Sequence, residues 1–188
     1  MNPRGKVRII AGEYRGRRIP VAQKPDLRPT PDRVRETLFN WLGQWLDGLT
    51  CLDLFAGSGA LGFEAASRGA SRVVMVEQDR SVFEHLRKIR DSIGASRVDL
   101  VHDDAFAYLR RAGRFDVVFL DPPFRQNALP AVFRQLQGTS GMRVYAESSE
   151  PFDPGPQWQE AKRSRAGQVS YQLFQWRGDD QGGLPRNV

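Results

Sequence analysis

Thr50-Cys51-Leu52-Asp53-Leu54-Phe55-Ala56-Gly57-Ser58-Gly59-Ala60-Leu61-Gly62 opens as an apolar run and breaks into closely spaced glycines. A run of this kind, over Thr50 to Phe55, is what a strand buried on both faces requires, and a helical pattern from Ala60 to Arg68 follows it. The glycines therefore fall where a strand turns into a helix. There they let the backbone approach a ligand closely, and Asp53, at the end of the strand, can accept a hydrogen bond from a ligand amine or an ordered water. The spacing Gly57, Gly59, Gly62 also satisfies the dinucleotide pattern G-x-G-x-x-G, so NAD is compatible with it; a tight turn without any ligand would use glycine here too.

Outward from this point, strands alternate with helical segments. Arg72 to Glu77, Val98 to Val101, Phe115 to Leu120 and Met142 to Glu147 read as further strands, and Arg80 to Ile93, Ala105 to Arg111 and Asn127 to Leu136 as helices. The fold class is α/β, doubly wound around a mostly parallel sheet. Trp158 to Arg163 and Gln168 to Trp176 have no helix between them and are expected to pair antiparallel at a sheet edge. Before the glycine loop, Lys6 to Ala11 and Arg17 to Val21 flank a turn at Gly12 to Gly16 and predict a small hairpin. Thr30-Pro31 predicts an N-cap followed by proline at the first helical position, opening a helix. Val34, Leu38, Trp41, Leu42, Trp45 and Leu46 then recur at helical spacing, as in an amphipathic helix docked on a core. The expected organisation is a basic hairpin arm and loop over residues 1–26, one α/β domain over 27–177 and a polar, disordered tail over 178–188. Removing the hairpin is expected to spare the fold.

A chain of 188 residues is of ordinary single-domain size. Its one cysteine, Cys51, lies in an apolar run and excludes a disulfide framework within the chain, which fits a reducing, cytoplasmic setting. No apolar run approaches the length of a membrane span, so a soluble protein is expected. The net charge of +6 is concentrated at one end: residues 1–35 hold ten Lys or Arg against three acids, and the remainder sums to −1. A basic arm on a near-neutral body suits a phosphate backbone, although a solvated surface would also be charged. His85 and His102 share no metal-ligand spacing, and no metal is expected.

Glu77 ends the second strand about twenty residues after the glycine loop, where a carboxylate can receive both ribose hydroxyls of an adenosyl ligand, NAD or S-adenosylmethionine alike. Asp103 and Asp104 follow the third strand, where an aspartate can accept from an adenine amine or cap the next helix at Ala105. Asp121-Pro122-Pro123-Phe124 decides between the donors. An exocyclic base amine is a poor nucleophile because its lone pair is delocalised into the ring. The Asp121 carboxylate and the Pro122 carbonyl can each accept one of its hydrogens, and the two prolines hold these acceptors in place. Phe124 offers a face on which a flipped-out base can stack. Hydride transfer needs no such acceptor site, so methyl transfer is the better reading.

With these residues in hand, the chain resembles the class I methyltransferases, and within them the RsmD family of bacterial 16S rRNA (guanine-N2)-methyltransferases. The likeness runs through Arg8-Ile9-Ile10-Ala11-Gly12, Arg15-Gly16-Arg17, the stretch from Leu27 to Leu42, Asp53 to Gly62, Asp121 to Arg125, and Gly167-Gln168-Val169 with Tyr171. It implies a Rossmann-like sheet of seven strands with an antiparallel last strand. It also implies S-adenosylmethionine as donor, bound by Asp53, Phe55, Gly57, Gly59, Glu77, Asp104 and Ala105, with Asp121, Pro122, Pro123 and Phe124 at the acceptor. The implied substrate is one guanine of 16S rRNA within 30S particles, met by a monomer through Arg8, Arg15, Arg17, Arg18, Arg28, Arg33 and Arg35. An adenine-N6 DNA methyltransferase would share the acceptor motif but usually adds a recognition domain. A non-catalytic RNA-binding module would not need the intact motifs.

Overall fold

The structure, a computed structural model, describes residues 5–24, 27, 29–123 and 127–178. Phe124, Arg28 and all of the expected tail after Gly178 lie outside the described residues. A two-stranded hairpin, β1 (Lys6–Arg8) and β2 (Arg18–Pro20), precedes α1 (Asp32–Leu42). Then come β3 (Thr50–Asp53), α2 (Ala60–Ser67), β4 (Arg72–Glu77), α3 (Arg80–Ile93), β5 (Val98–His102), α4 (Ala105–Leu109), β6 (Val117–Leu120), α5 (Leu129–Gln135), β7 (Arg143–Ser148), β8 (Trp158–Ala166) and β9 (Val169–Trp176).

Seven strands form one sheet in the order β5-β4-β3-β6-β7-β9-β8. The five strands from β3 to β7 are joined by parallel pairings, as their helical crossovers demand. The last strand, β9, runs antiparallel to both β7 and β8 and leaves β8 at the edge. Alternation along each strand sends side chains to two cores. Cys51, Val73, Met75, Val117 and Phe119 pack under α1, α2 and α3; Leu52, Val74, Val76, Val118 and Leu120 pack under α4 and α5. The strand order reverses between β3 and β6, and ligands of open α/β sheets bind at the carboxyl ends of strands beside such a point.

Two expectations need correction. The hairpin is not an appendage: Val7, Ile9, Tyr14 and Ile19 are buried in the same core as α1 and α2. Its backbone is also tied to Glu64, a fully buried carboxylate on α2, whose oxygens accept from Ile10 N at 2.8 Å and Ala11 N at 3.1 Å. Glu64 accepts as well from Arg35 of α1 at 3.1 Å and from Arg68 Nε at 2.8 Å, so one anion holds three segments together. Helix α1, for its part, stops at Leu42 instead of running on to Leu46, because Gly43 takes a left-handed conformation (φ 97°) and its N–H turns back to Asn40 O. Leu46 is buried all the same, whereas Trp45 is 57% exposed and does not dock on the core.

Candidate active site

A cleft of about 680 Å³ opens at the carboxyl ends of β3, β4 and β6. Its walls include Asp53, Phe55, Gly57, Glu77, Asp104, Ala105, Asp121, Pro122 and Pro123, so residues spread over some seventy positions of the chain meet in one place. A cleft of this size lies within the range of small-molecule and cofactor sites.

The glycine loop shapes one wall. Gly57 and Gly59 both have positive φ (49° and 77°), which L side chains rarely adopt. A Cβ on Gly59 would strike Phe63 and Leu86, so this glycine lies behind the cleft as the pivot into α2 and does not line it. Asp53 is buried, and its Oδ2 accepts from Gly62 N at 2.9 Å, which ties strand end to helix start. Burial pushes its carboxyl up to about 7 against the opposing pull of that N–H. Part of the acceptor capacity expected to face a ligand is therefore spent within the loop itself.

Glu77 is held from both sides. One carboxylate oxygen accepts from Gly57 N at 3.0 Å and the other from Asp79 N at 2.7 Å, which fixes the carboxylate across the glycine loop. Each oxygen keeps a further lone pair for a hydroxyl. Burial raises its pKa, and these backbone N–H groups oppose the rise. Asp104 caps α4 by accepting from Ala107 N at 2.9 Å, while its neighbour Asp103 pairs with Arg111 at 2.5 Å. The cap reading thus holds for Asp104, which also lines the cleft.

On the opposite wall, Asp121 follows β6. Burial pushes its carboxyl up to about 6, partly offset by Thr30. Thr30 does not cap α1, where Pro31 takes the N-cap position without a side-chain bond. Its hydroxyl turns instead to Asp121 Oδ2 at 3.4 Å, long for an O–H···O bond. Sequence reasoning also passed over Lys24 and Leu27, which line the cleft, and Asp79, which caps α3 and pairs with Lys24 at 2.9 Å. Only the capping pattern at Asp79 left a local signal in the sequence.

The arginines expected at RNA divide. Arg8, Arg15, Arg17, Arg18 and Arg33 are not buried. Arg35 is fully buried between Glu64 and Asp32, at 3.1 and 2.6 Å, and cannot meet a phosphate. An arginine at helical spacing beside exposed charges reads as surface until its buried partner, 29 residues away, is known. The turn that carries Arg15 packs on the C-terminal end of α2, where Glu13 N reaches Ser67 O at 2.8 Å, at the far end of that helix from the cleft.

Residues 7–175 match the family described as Conserved hypothetical protein 95. The chain is 42% identical over 180 residues to "Ribosomal RNA small subunit methyltransferase D" of Escherichia coli (strain K12), covering 91% of this chain and 90% of that protein. It is 40% identical over 185 residues to the protein of the same name from Haemophilus influenzae, covering 93% and 96%. The solved structure described as "Putative methyltransferase yhhF from Escherichia coli" superposes with a TM-score of 0.81 at 41% identity, over 92% of this chain and 98% of that one.

Proposed function

The chain belongs to the RsmD family, the one described as Conserved hypothetical protein 95, and on that premise we propose that it transfers a methyl group from S-adenosylmethionine to the exocyclic N2 amine of a guanine in 16S rRNA. The observation that carries this reading is the shared cleft: Asp121 and the two prolines form one wall, and the glycine loop and Glu77 another. Glu77, fixed by two backbone N–H groups, suits the two hydroxyls of a ribose. The positive φ at Gly57 calls for a residue without a side chain at that point of the wall, and the cleft volume accommodates an adenosyl group.

The bound donor supplies an activated methyl on a sulfonium whose leaving group is neutral. The remaining work falls to the protein. Asp121 and the Pro122 carbonyl each accept one hydrogen of the amine, which localises the nitrogen lone pair toward the donor. The fixed prolines keep these acceptors from adjusting, so the contribution is one of orientation. Asp121, with its raised proton affinity, is also placed to take up the proton that the methylated nitrogen must lose. Phe124, the last residue of the acceptor motif, is assigned the aromatic face on which the base stacks.

Arg8, Arg15, Arg17, Arg18 and Arg33 hold the RNA backbone, and the preferred substrate is an assembled 30S particle that presents the guanine in a fixed loop. The enzyme acts as a monomer without a metal ion. Incubation with labelled S-adenosylmethionine and undermodified small-subunit RNA or particles, followed by mapping of the label, tests the reading. Label on an adenine N6, or on DNA, would replace it.

A further inference from the structure

Outside the cleft, one buried acid has no part in the chemistry described so far. Leu120 of β6 pairs in register with Ala146 of β7, so the next residues along, Asp121 and Glu147, are neighbours at the carboxyl ends of adjacent strands. Glu147 is buried and does not line the cleft. Tyr145 Oη, two residues back on the same face, donates to Glu147 Oε1 at 2.8 Å. Thr30, from the loop before α1, donates its hydroxyl to Asp121 Oδ2 at 3.4 Å, and Asp121 lines the cleft and is only partly buried.

We propose that Glu147 is a positioning residue for methyl transfer, which as a neutral neighbour on the adjacent strand keeps Asp121 ionised and aimed at the acceptor amine. The argument rests on proton counting. Thr30 has a single hydrogen to donate and lone pairs with which to accept. If Glu147 carries a proton, it still accepts from Tyr145, brings no charge up to Asp121, and leaves the Thr30 hydroxyl to donate to Asp121 Oδ2. If Glu147 is ionised, Asp121 meets a like charge on the adjacent strand. The difference in exposure favours the first state, because Glu147 is buried away from the cleft whereas Asp121 lines it. Burial and the nearby Asp121 push Glu147 up to about 8, whereas Asp121 rises to about 6. At neutral pH the single negative charge of the pair therefore sits on Asp121, the group that faces the amine. The other titratable side chains facing Glu147 are Tyr171, its partner across β9, and Tyr145 on its own strand, whose phenol burial pushes well above its usual value.

The inference rests on the assignment of Asp121 to the acceptor amine, and its test reads Glu147 separately from that assignment. Wild-type kcat should fall as pH rises through about 8, where Glu147 ionises, and Glu147→Gln, which keeps a neutral donor, should lose this alkaline fall. Glu147→Ala should lower kcat about tenfold, with KM for S-adenosylmethionine within twofold of wild type, and should be impaired more than Glu147→Gln. Difference infrared spectra supply a readout free of activity: a protonated carboxyl band titrating near 8 should be present in wild type and absent from Glu147→Gln. A kcat unchanged in Glu147→Ala, an alkaline fall that persists in Glu147→Gln, or the absence of that band at neutral pH overturns the proposal. Failure of the methyltransferase reading itself would appear differently, as wild type that transfers no label while the band still titrates.

Discussion

Replacing Glu64 by alanine should unfold the molecule from its N-terminal side. Glu64 is fully buried and accepts four hydrogen bonds, two from the hairpin backbone and two from guanidinium groups. The alanine variant leaves Arg35 fully buried beside a single remaining carboxylate, Asp32, and leaves Arg68, also buried, without its acid. Breaking a buried pair by removing one partner costs about 3–5 kcal/mol. For a domain of this size each kcal/mol lowers Tm by roughly 2–4 °C, so the drop should be about 6–20 °C. The loss is a large part of a typical total of about 5–15 kcal/mol. Urea unfolding followed by circular dichroism measures it, and limited trypsin digestion locates it, because Arg15, Arg17 and Arg18 become cleavable only when the hairpin lifts. Double replacement by apolar residues, Glu64→Leu with Arg35→Met, should recover part of the stability by removing the orphaned charge along with its partner. A Glu64→Ala variant within about 1 kcal/mol of wild type, or hairpin cleavage no faster than in wild type, would refute the view that one buried anion fastens hairpin, α1 and α2.

Asp121→Ala should abolish methyl transfer while leaving S-adenosylmethionine affinity within a few-fold; calorimetry and label transfer measured side by side decide it, and retained turnover would remove Asp121 from the acceptor site. Glu77→Ala should do the opposite, costing about 1.5–3 kcal/mol of donor binding, roughly ten- to a hundredfold in Kd. If Asp121 works as the anion, with burial pushing it up to about 6, kcat should hold between that value and about 8, where Glu147 ionises, and fall as pH drops through about 6; a profile flat down to about pH 5 contradicts the assignment. Replacing Arg15, Arg17 and Arg18 together by glutamate should leave the fold intact, since all three are exposed. It should flatten the slope of log RNA affinity against log salt by about 0.7–0.9 for each phosphate no longer neutralised, and an unchanged slope would mean that these cations do not touch the backbone.

The doubly wound sheet was legible because each of its parts is local. The apolar strand of Thr50 to Asp53, the glycine spacing after it and the helical periodicity of Arg80 to Ile93 are all written in neighbouring residues, and α3 spans the range its pattern predicts. The cleft was legible for a related reason, since the βα turns of such a sheet gather at one end whatever their sequence separation. Pairings between distant residues leave no comparable trace. Thr30 looks like a cap because Thr-Pro before a helix usually is one, and its real partner lies 91 residues away. Arg35 looks like surface because nothing near it in the chain points to Glu64, which sits in an ordinary helical segment. Glu147 reads as no more than the end of a strand, though Tyr145 and Glu147 fall on one face by simple alternation. Spacing alone puts Trp45 in the core, but Gly43 ends the helix before that spacing can act.

The placement of the hairpin turn against the end of α2 also sets a scale for the substrate. The segment leaving the hairpin meets the mouth of the cleft, where Lys24 pairs with Asp79, and the hairpin turn reaches Ser67 at the other end of the helix. An eight-residue helix is roughly 12 Å long, so a track of about that length separates the turn that carries Arg15 from the cleft. An RNA that fills the acceptor site and also reaches Arg15 must be long enough to run down that side. Mononucleotides and very short oligomers would engage the chemistry without the grip. Turnover measured on fragments of increasing length should then climb in a step once the far end of the track is covered, and a smooth dependence on length would show that binding does not extend that far.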